Sequence, residues 1–171
     1  MQESIDKNWY ALYTKARHEF KVRNRLDLMN IETFLPTVER TQRWSDRKKK
    51  VTFPLFSCYL FVRTSITYED KVKILRTPGV VKFVSLKNGA PEPIPDEQIL
   101  NLKKAIESKE QIDLYPYLKE GLRVRVKKGP LEEGVIGVLI EKREGYLLVL
   151  SVDVIQQGAA LKIDASFVEA V

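Results

Sequence analysis

The chain has 171 residues, 44% hydrophobic and 30% charged, proportions that exclude global disorder and fit a folded protein with its own core. One cysteine, Cys58, and one histidine, His18, exclude an intrachain disulfide, a cysteine metal cluster and most nucleophile–base pairs. The net charge of +6 is uneven: residues 1–50 carry 12 Lys+Arg against 7 Asp+Glu, residues 51–118 carry 9 against 8, and residues 119–171 carry 8 against 8.

Residues 1–7 are polar and are expected to fray. Trp9–Tyr13 reads as a first, aromatic strand. Thr14 is a candidate cap for a helix over residues 17–30, with Val22, Leu26 and Met29 on its buried face and Arg17, Lys21 and Leu28 on an adjoining one. Glu32–Pro36 is a short second strand. Residues 38–51 read as a hairpin arm whose tip is Trp44-Ser45-Asp46-Arg47-Lys48-Lys49-Lys50. The densest apolar run, Phe53–Val62, is expected to be its return strand, reaching about Arg63. Period-2 alternation puts Phe56, Cys58 and Leu60 on one face and Leu55, Ser57, Tyr59 and Phe61 on the other.

A short helix over Tyr68–Arg76 is expected to turn Val72 and Leu75 inward and to end at Thr77-Pro78-Gly79. Val80–Val84 is the next strand. Pro91, Pro93 and Pro95 make an extended approach to a helix for which Asp96 is a candidate N-cap and Ile99, Leu102 and Ile106 the apolar stripe. This order of elements predicts an α+β fold, an antiparallel-rich sheet flanked by helices, of roughly ferredoxin-like kind.

Residues 109–118 lose periodicity, contain Pro116 and are expected to be a linker. Composition then changes: six of the eight glycines lie at Gly121 or later. Leu122–Val126, Val135–Ile140, Tyr146–Val152 and Ala160–Ile163 are short β-prone runs separated by turn residues, which predicts a small all-β barrel. Val135, Val138, Ile140, Val149, Val152 and Val154 favour strands throughout this half.

The concentration of basic charge in the first third suggests a polyanion-facing patch, with a solvated basic face as the alternative. No apolar run is long enough to cross a bilayer, and Met-Gln-Glu-Ser-Ile-Asp-Lys lacks the apolar core of a signal peptide, so no membrane association and a cytoplasmic location are expected. There is no Gly-rich phosphate loop, no metal-spaced His/Cys set and no triad; Asp96-Glu97 is explained by a helix start. An enzyme is not expected.

In their order and spacing, several stretches resemble NusG-type transcription elongation factors over nearly the whole chain. They are Trp9-Tyr10, Phe53-Pro54-Leu55-Phe56 with Tyr59-Leu60-Phe61-Val62, Thr77-Pro78-Gly79-Val80, Val124-Arg125-Val126-Lys127-Lys128-Gly129-Pro130-Leu131 and Val152-Asp153-Val154-Ile155. The resemblance implies an NGN domain over 8–108, a linker over 109–118 and an SH3-like KOW barrel over 119–171. Lys15-Ala16-Arg17-His18-Glu19, Phe34-Leu35-Pro36 and the basic hairpin look most like the specialised RfaH-like and UpxY-like antiterminators.

By that resemblance, Tyr13, Phe56, Ser57, Tyr59 and Phe61 would meet the clamp helices of the largest RNA polymerase subunit, with Ser57 in place of the family's usual proline. Lys15, Arg17, His18, Lys21 and Arg25, with Lys48, Lys49 and Lys50, would approach the non-template DNA strand. Leu131 and Ile155 would contact a small-subunit ribosomal protein or Rho. The His-Thr-Thr motif that reaches the polymerase gate loop in RfaH is absent at Asp70-Lys71-Val72. No cofactor or metal is implied, and a monomer is expected. The barrel is expected to stay a barrel rather than refold as a helical hairpin. The alternative reading is a ribosome-associated RNA-binding KOW protein, against which stands the charge neutrality of residues 119–171.

Overall fold

The computed structural model describes residues 6–87 and 89–171. It divides into two compact units, Met1–Leu35 with Phe56–Asp96, and Pro36–Leu55 with Glu97–Val171. All strand pairings are antiparallel.

In the first unit, β1 (Asn8–Thr14), β2 (Glu32–Phe34), β5 (Tyr59–Thr64) and β6 (Val80–Phe83) form a sheet in the order β2-β5-β1-β6. Helix α1 (Glu19–Leu28) and helix α2 (Tyr68–Leu75) contribute to the same core. One sheet face supplies Tyr10, Leu12, Leu60, Val62 and Phe83, which pack with Val22 and Leu26 of α1 and Ile74 of α2. Burial of this many large apolar side chains is the main stabilising term of the unit.

The sequence placed both helices, with one error of phase. In α1 the expected stripe holds: Val22 and Leu26 are fully buried. The helix starts later than Arg17, because Arg17 adopts a left-handed backbone (φ 61°) and His18 occupies the N-cap without a side-chain capping bond. In α2 the buried residue is Ile74, whereas Leu75 is exposed and Val72 half-buried. The helix is capped by Thr67, whose hydroxyl accepts from the Asp70 N–H at 3.2 Å, and that cap sets the phase.

The run Phe53–Val62 is not one strand. β4 (Lys48–Pro54) ends at Pro54, β5 starts at Tyr59, and a turn lies between them in which Tyr59 N–H donates to the Phe56 carbonyl at 3.2 Å. Cys58 sits in the left-handed region at φ 68°. A residue with that backbone resets the two-residue alternation, which is why the expected facing of Phe56 against Tyr59 does not apply.

The second unit contains the hairpin of β3 (Thr37–Arg43) and β4 as a separate two-stranded sheet. Its turn is Trp44–Arg47, closed by Trp44 N–H to the Arg47 carbonyl at 2.8 Å, so Lys48, Lys49 and Lys50 belong to the strand rather than to the tip. The unit also holds helix α3 (Asp96–Glu107) and a six-stranded antiparallel sheet, β12-β8-β9-β10-β11-β7, which forms the expected all-β module. These strands are β7 (Ile112–Pro116), β8 (Leu122–Val126), β9 (Ile136–Lys142), β10 (Gly145–Val152), β11 (Gln157–Ile163) and β12 (Val168–Ala170).

Residues 109–118, expected as a linker, therefore contain a strand: β7 pairs with β11 from Ile112↔Leu161 to Pro116↔Gln157. Pro116 at the strand's last position is where a missing donor is tolerated. The grouping of α3 with the sheet also differs from a boundary at 108. Polar contacts connect the helix to this module. Asn101, buried, donates from Nδ2 to the Ile136 carbonyl (2.9 Å) and accepts from the Ile136 N–H (3.4 Å), doing for the backbone of β9 what a neighbouring strand would do. Gln98 donates to Asp153 Oδ2 (3.0 Å) and accepts from the Asp153 N–H (3.2 Å). On the apolar side Ile99, Leu102 and Ala105 are buried, while Ile106 is half-buried.

Candidate functional site

The second face of the four-stranded sheet is aromatic. Register places Tyr13 opposite Tyr59, Ala11 opposite Phe61, and Phe34 beside Phe61. The rings of Tyr13 and Tyr59 meet edge-on at 5.5 Å, Phe34 stacks on Phe61 at 6.1 Å, and Phe56 meets Phe61 edge-on at 6.5 Å. Such pairs add to the burial of the rings themselves.

The five residues expected to meet a polymerase are brought together here, but they divide into two kinds. Phe56 and Phe61 are fully buried, at 1% and 0% exposure, and are closed to a partner. Tyr13 and Tyr59 are half-buried and Ser57 is exposed. A surface available to a partner is thus the Tyr13–Tyr59 pair with Ser57 beside it and Lys82, exposed, paired across from Tyr13. Burial holds the Tyr59 hydroxyl above its ordinary pKa, with Tyr13 and Cys58 adding to the shift.

The β1–α1 junction carries the basic set. Lys15, Arg17, Lys21 and Arg25 are exposed, and His18 is half-buried with its Nδ1 donating to the Ala16 carbonyl at 2.9 Å. None of the four cations forms an ion pair among the described residues. The junction is anchored where it leaves β1: Thr14 N–H donates to the Cys58 carbonyl and Lys15 N–H to the Gly79 carbonyl, each at 2.8 Å. Arg25 Nη1 donates to the Pro78 carbonyl at 2.6 Å. Gly79 has φ 99°, and a Cβ there would lie 2.7 Å from Val22 Cγ2 and 3.2 Å from His18 Cβ. Only glycine lets the Thr77–Val80 turn lie this close to α1.

The hairpin supplies a second basic surface. Its register pairs Arg43 with Lys48, Thr41 with Lys50 and Gln42 with Lys49, and residues 41–50 are all exposed. Side chains alternate across a ribbon, so Arg43, Lys48 and Lys50 share one face, with Arg43 directly opposite Lys48. Like charges opposed across strands are destabilising, and none of the three has a carboxylate partner among the described residues. Trp44 stands at the turn, 55% exposed. Arg43 escaped the sequence reading because its side depends on the register; once Trp44–Arg47 is known to be the turn, its pairing with Lys48 follows.

In the all-β module, Leu131 and Ile155 are buried, at 2% and 5% exposure, and so sit in the module rather than on its surface. Glu19 is a further residue that sequence reasoning passed over. It is buried in the first turn of α1, and its Oε1 accepts from the Cys58 N–H at 2.8 Å. No local pattern signals a partner 39 residues away.

A half-buried tyrosine pair at the ends of two central strands, a basic β1–α1 junction and a cationic ribbon thus stand on an α+β scaffold joined to a small β module. The chain belongs to the NusG family: the family model described as "Transcription termination factor nusG" matches residues 7–103, over half of its length. It is similar to the transcription termination/antitermination protein NusG of Staphylococcus carnosus (strain TM300), 28% identical with 99% of each chain covered. The protein of the same name from Staphylococcus aureus (strain Mu50 / ATCC 700699) is also 28% identical with 99% of each chain covered. A solved structure of Thermotoga maritima NusG matches in fold, with a TM-score of 0.53, 23% identity and 98% of both chains covered. No helix among the described residues is long and apolar enough to cross a membrane.

Proposed function

We propose that this chain is a transcription elongation and antitermination factor that docks on the clamp helices of RNA polymerase through the Tyr13–Ser57–Tyr59 edge. Residues 8–108 act as the NGN domain, a reading supported by the family match over residues 7–103. The observation that carries the proposal is the tyrosine pair itself. Two rings at 5.5 Å, half-buried and one pleat repeat along the sheet from Phe61, form an apolar receptor with a polar rim, the composition of an interface anchor. Bound there, the domain bridges the polymerase cleft and disfavours paused states. The exposed cations Lys15, Arg17, Lys21 and Arg25, with His18 among them, lie along the non-template DNA strand. Lys48 and Lys50 with Arg43 add a second phosphate contact, and Lys49 lies on the other side of the ribbon.

Residues 119–171 act as the KOW domain and recruit a small-subunit ribosomal protein or Rho. Because Leu131 and Ile155 are buried, their contribution is to shape that surface from beneath. The basic first third and the cationic hairpin favour a specialised, operon-specific paralogue of RfaH-like or UpxY-like kind. The protein works in the cytoplasm, as a monomer, without catalysis of its own.

The test is a binding measurement against a peptide of the polymerase clamp helices. Tyr13→Ala with Tyr59→Ala, in a chain whose circular dichroism matches the parent, is expected to weaken binding about 30-fold or more, the loss of a hot-spot pair. Full affinity in that folded variant refutes the docking edge.

A further inference from the structure

Cys58 is held from both sides. Its carbonyl accepts from Thr14 N–H at 2.8 Å, and its N–H donates to Glu19 Oε1 at 2.8 Å. Its backbone is left-handed, φ 68°, a conformation that a residue with a Cβ rarely adopts unless its surroundings impose it. The turn it belongs to, Phe56–Tyr59, carries Ser57 and delivers Tyr59 against Tyr13.

Glu19 is an expensive group to place there. It is 4% exposed and forms no ion pair among the described residues. Its place in the first turn of α1 sets it in the favourable end of the helix dipole, and the Cys58 amide gives it a charge-assisted hydrogen bond. An apolar residue of similar volume would fill the same space without burying a charge. What an apolar residue lacks is an acceptor for Cys58 N–H.

We infer that Glu19 is a positioning residue for polymerase docking: its carboxylate locks the Phe56–Tyr59 turn in the left-handed form that sets Tyr59 against Tyr13. The inference rests on the proposed docking edge. It also makes the β1–α1 junction, where Lys15, Arg17 and His18 lie, and the turn bearing Ser57 and Tyr59 one bonded assembly, so that the nucleic-acid-facing and polymerase-facing residues share a frame.

The test uses the full chain with Glu19→Leu and Glu19→Gln, measured in three ways. Amide hydrogen exchange at Cys58 is expected to be slow in the parent and in Glu19→Gln, which keeps Oε1 as an acceptor, and fast in Glu19→Leu. The aromatic NMR signals of Tyr59 are expected to shift in Glu19→Leu and to stay in place in Glu19→Gln. Affinity for the clamp-helix peptide is expected to fall about tenfold in Glu19→Leu and to return in Glu19→Gln. Val22→Ala serves as a control, a core variant that lowers stability without moving the turn and so leaves the affinity of the folded protein unchanged. Rapid exchange of the Cys58 amide in the parent overturns the inference without any variant. So does a folded Glu19→Leu that binds like the parent while Tyr13→Ala with Tyr59→Ala does not. If both variants bind like the parent while exchange follows the expected pattern, the docking edge itself is at fault and Glu19 keeps its role in the turn.

Discussion

Gly79→Ala tests the packing that joins the Thr77–Val80 turn to α1. The added methyl meets two obstacles. The backbone at φ 99° disfavours an L residue by roughly 1–2 kcal/mol. The Cβ also falls 2.7 Å from Val22 Cγ2, far inside van der Waals contact, and 3.2 Å from His18 Cβ; overpacking of that kind costs about 1–3 kcal/mol. Val22 is fully buried and has nowhere to retreat, so the expected loss is about 2–5 kcal/mol. Urea denaturation followed by fluorescence reads it out, since Trp9, buried at 4% exposure, reports on the same sheet. A double-variant cycle separates the two contributions. Val22→Ala removes the obstructing Cγ2, so Gly79→Ala with Val22→Ala is expected to lose at least about 1 kcal/mol less than the sum of the single losses. Strict additivity, or a Gly79→Ala loss below about 1 kcal/mol, refutes the steric account.

Asn101→Ala strips both partners from Ile136 and leaves a half-buried N–H and C=O unmet; a loss of about 2 kcal/mol is expected, together with faster amide exchange at Ile136, and unchanged exchange would show that Asn101 does not close that seam. Arg43→Gln, Lys48→Gln and Lys50→Gln together are expected to lower the slope of log affinity for DNA against log salt by up to about 3 units. The fold should survive, because the variant removes an Arg43–Lys48 repulsion and no ion pair. An unchanged slope would remove the ribbon from the nucleic-acid contact.

The order of elements was legible because each rests on a local signal. The Val22 and Leu26 stripe marks α1, Thr77-Pro78-Gly79 ends α2, and runs of valine and leucine mark β8 to β10. What stayed hidden depends on distant partners. Strand β7 was read as linker because Ile112-Asp113-Leu114-Tyr115-Pro116 has little pattern of its own and becomes a strand by pairing with β11. In α2, the Thr67 cap and the burial of Ile74 decided a phase that Val72 and Leu75 suggested wrongly. The aromatic residues of the candidate site stand out as one run, yet their division into buried and accessible does not, since Phe56 and Phe61 read like Tyr59 in a one-dimensional aromatic run. Glu19 and Arg43 carry roles that exist only once Cys58 and Lys48 are beside them.

That division has a chemical logic. A left-handed residue at position 58 interrupts the alternation, so Phe56 and Phe61 can turn toward one another at 6.5 Å while Tyr59 is delivered to the rim. Rings without a polar atom lose nothing by full burial, whereas a tyrosine is suited to a position wet at one end and apolar at the other. Under the proposed docking, the charge state of Tyr59 bears on the contact. An ordinary phenol is already protonated at neutral pH; burial first, and the neighbouring Tyr13 and Cys58 after it, raise the Tyr59 pKa further in the same direction. The hydroxyl is an uncharged hydrogen-bond donor beside the Tyr13 ring, and no phenolate charge would have to be desolvated in the proposed contact. In the proposed docking, the Tyr59 hydroxyl adds no pH dependence near neutrality, and the strength of the contact depends on how well the Phe56–Tyr59 turn is held.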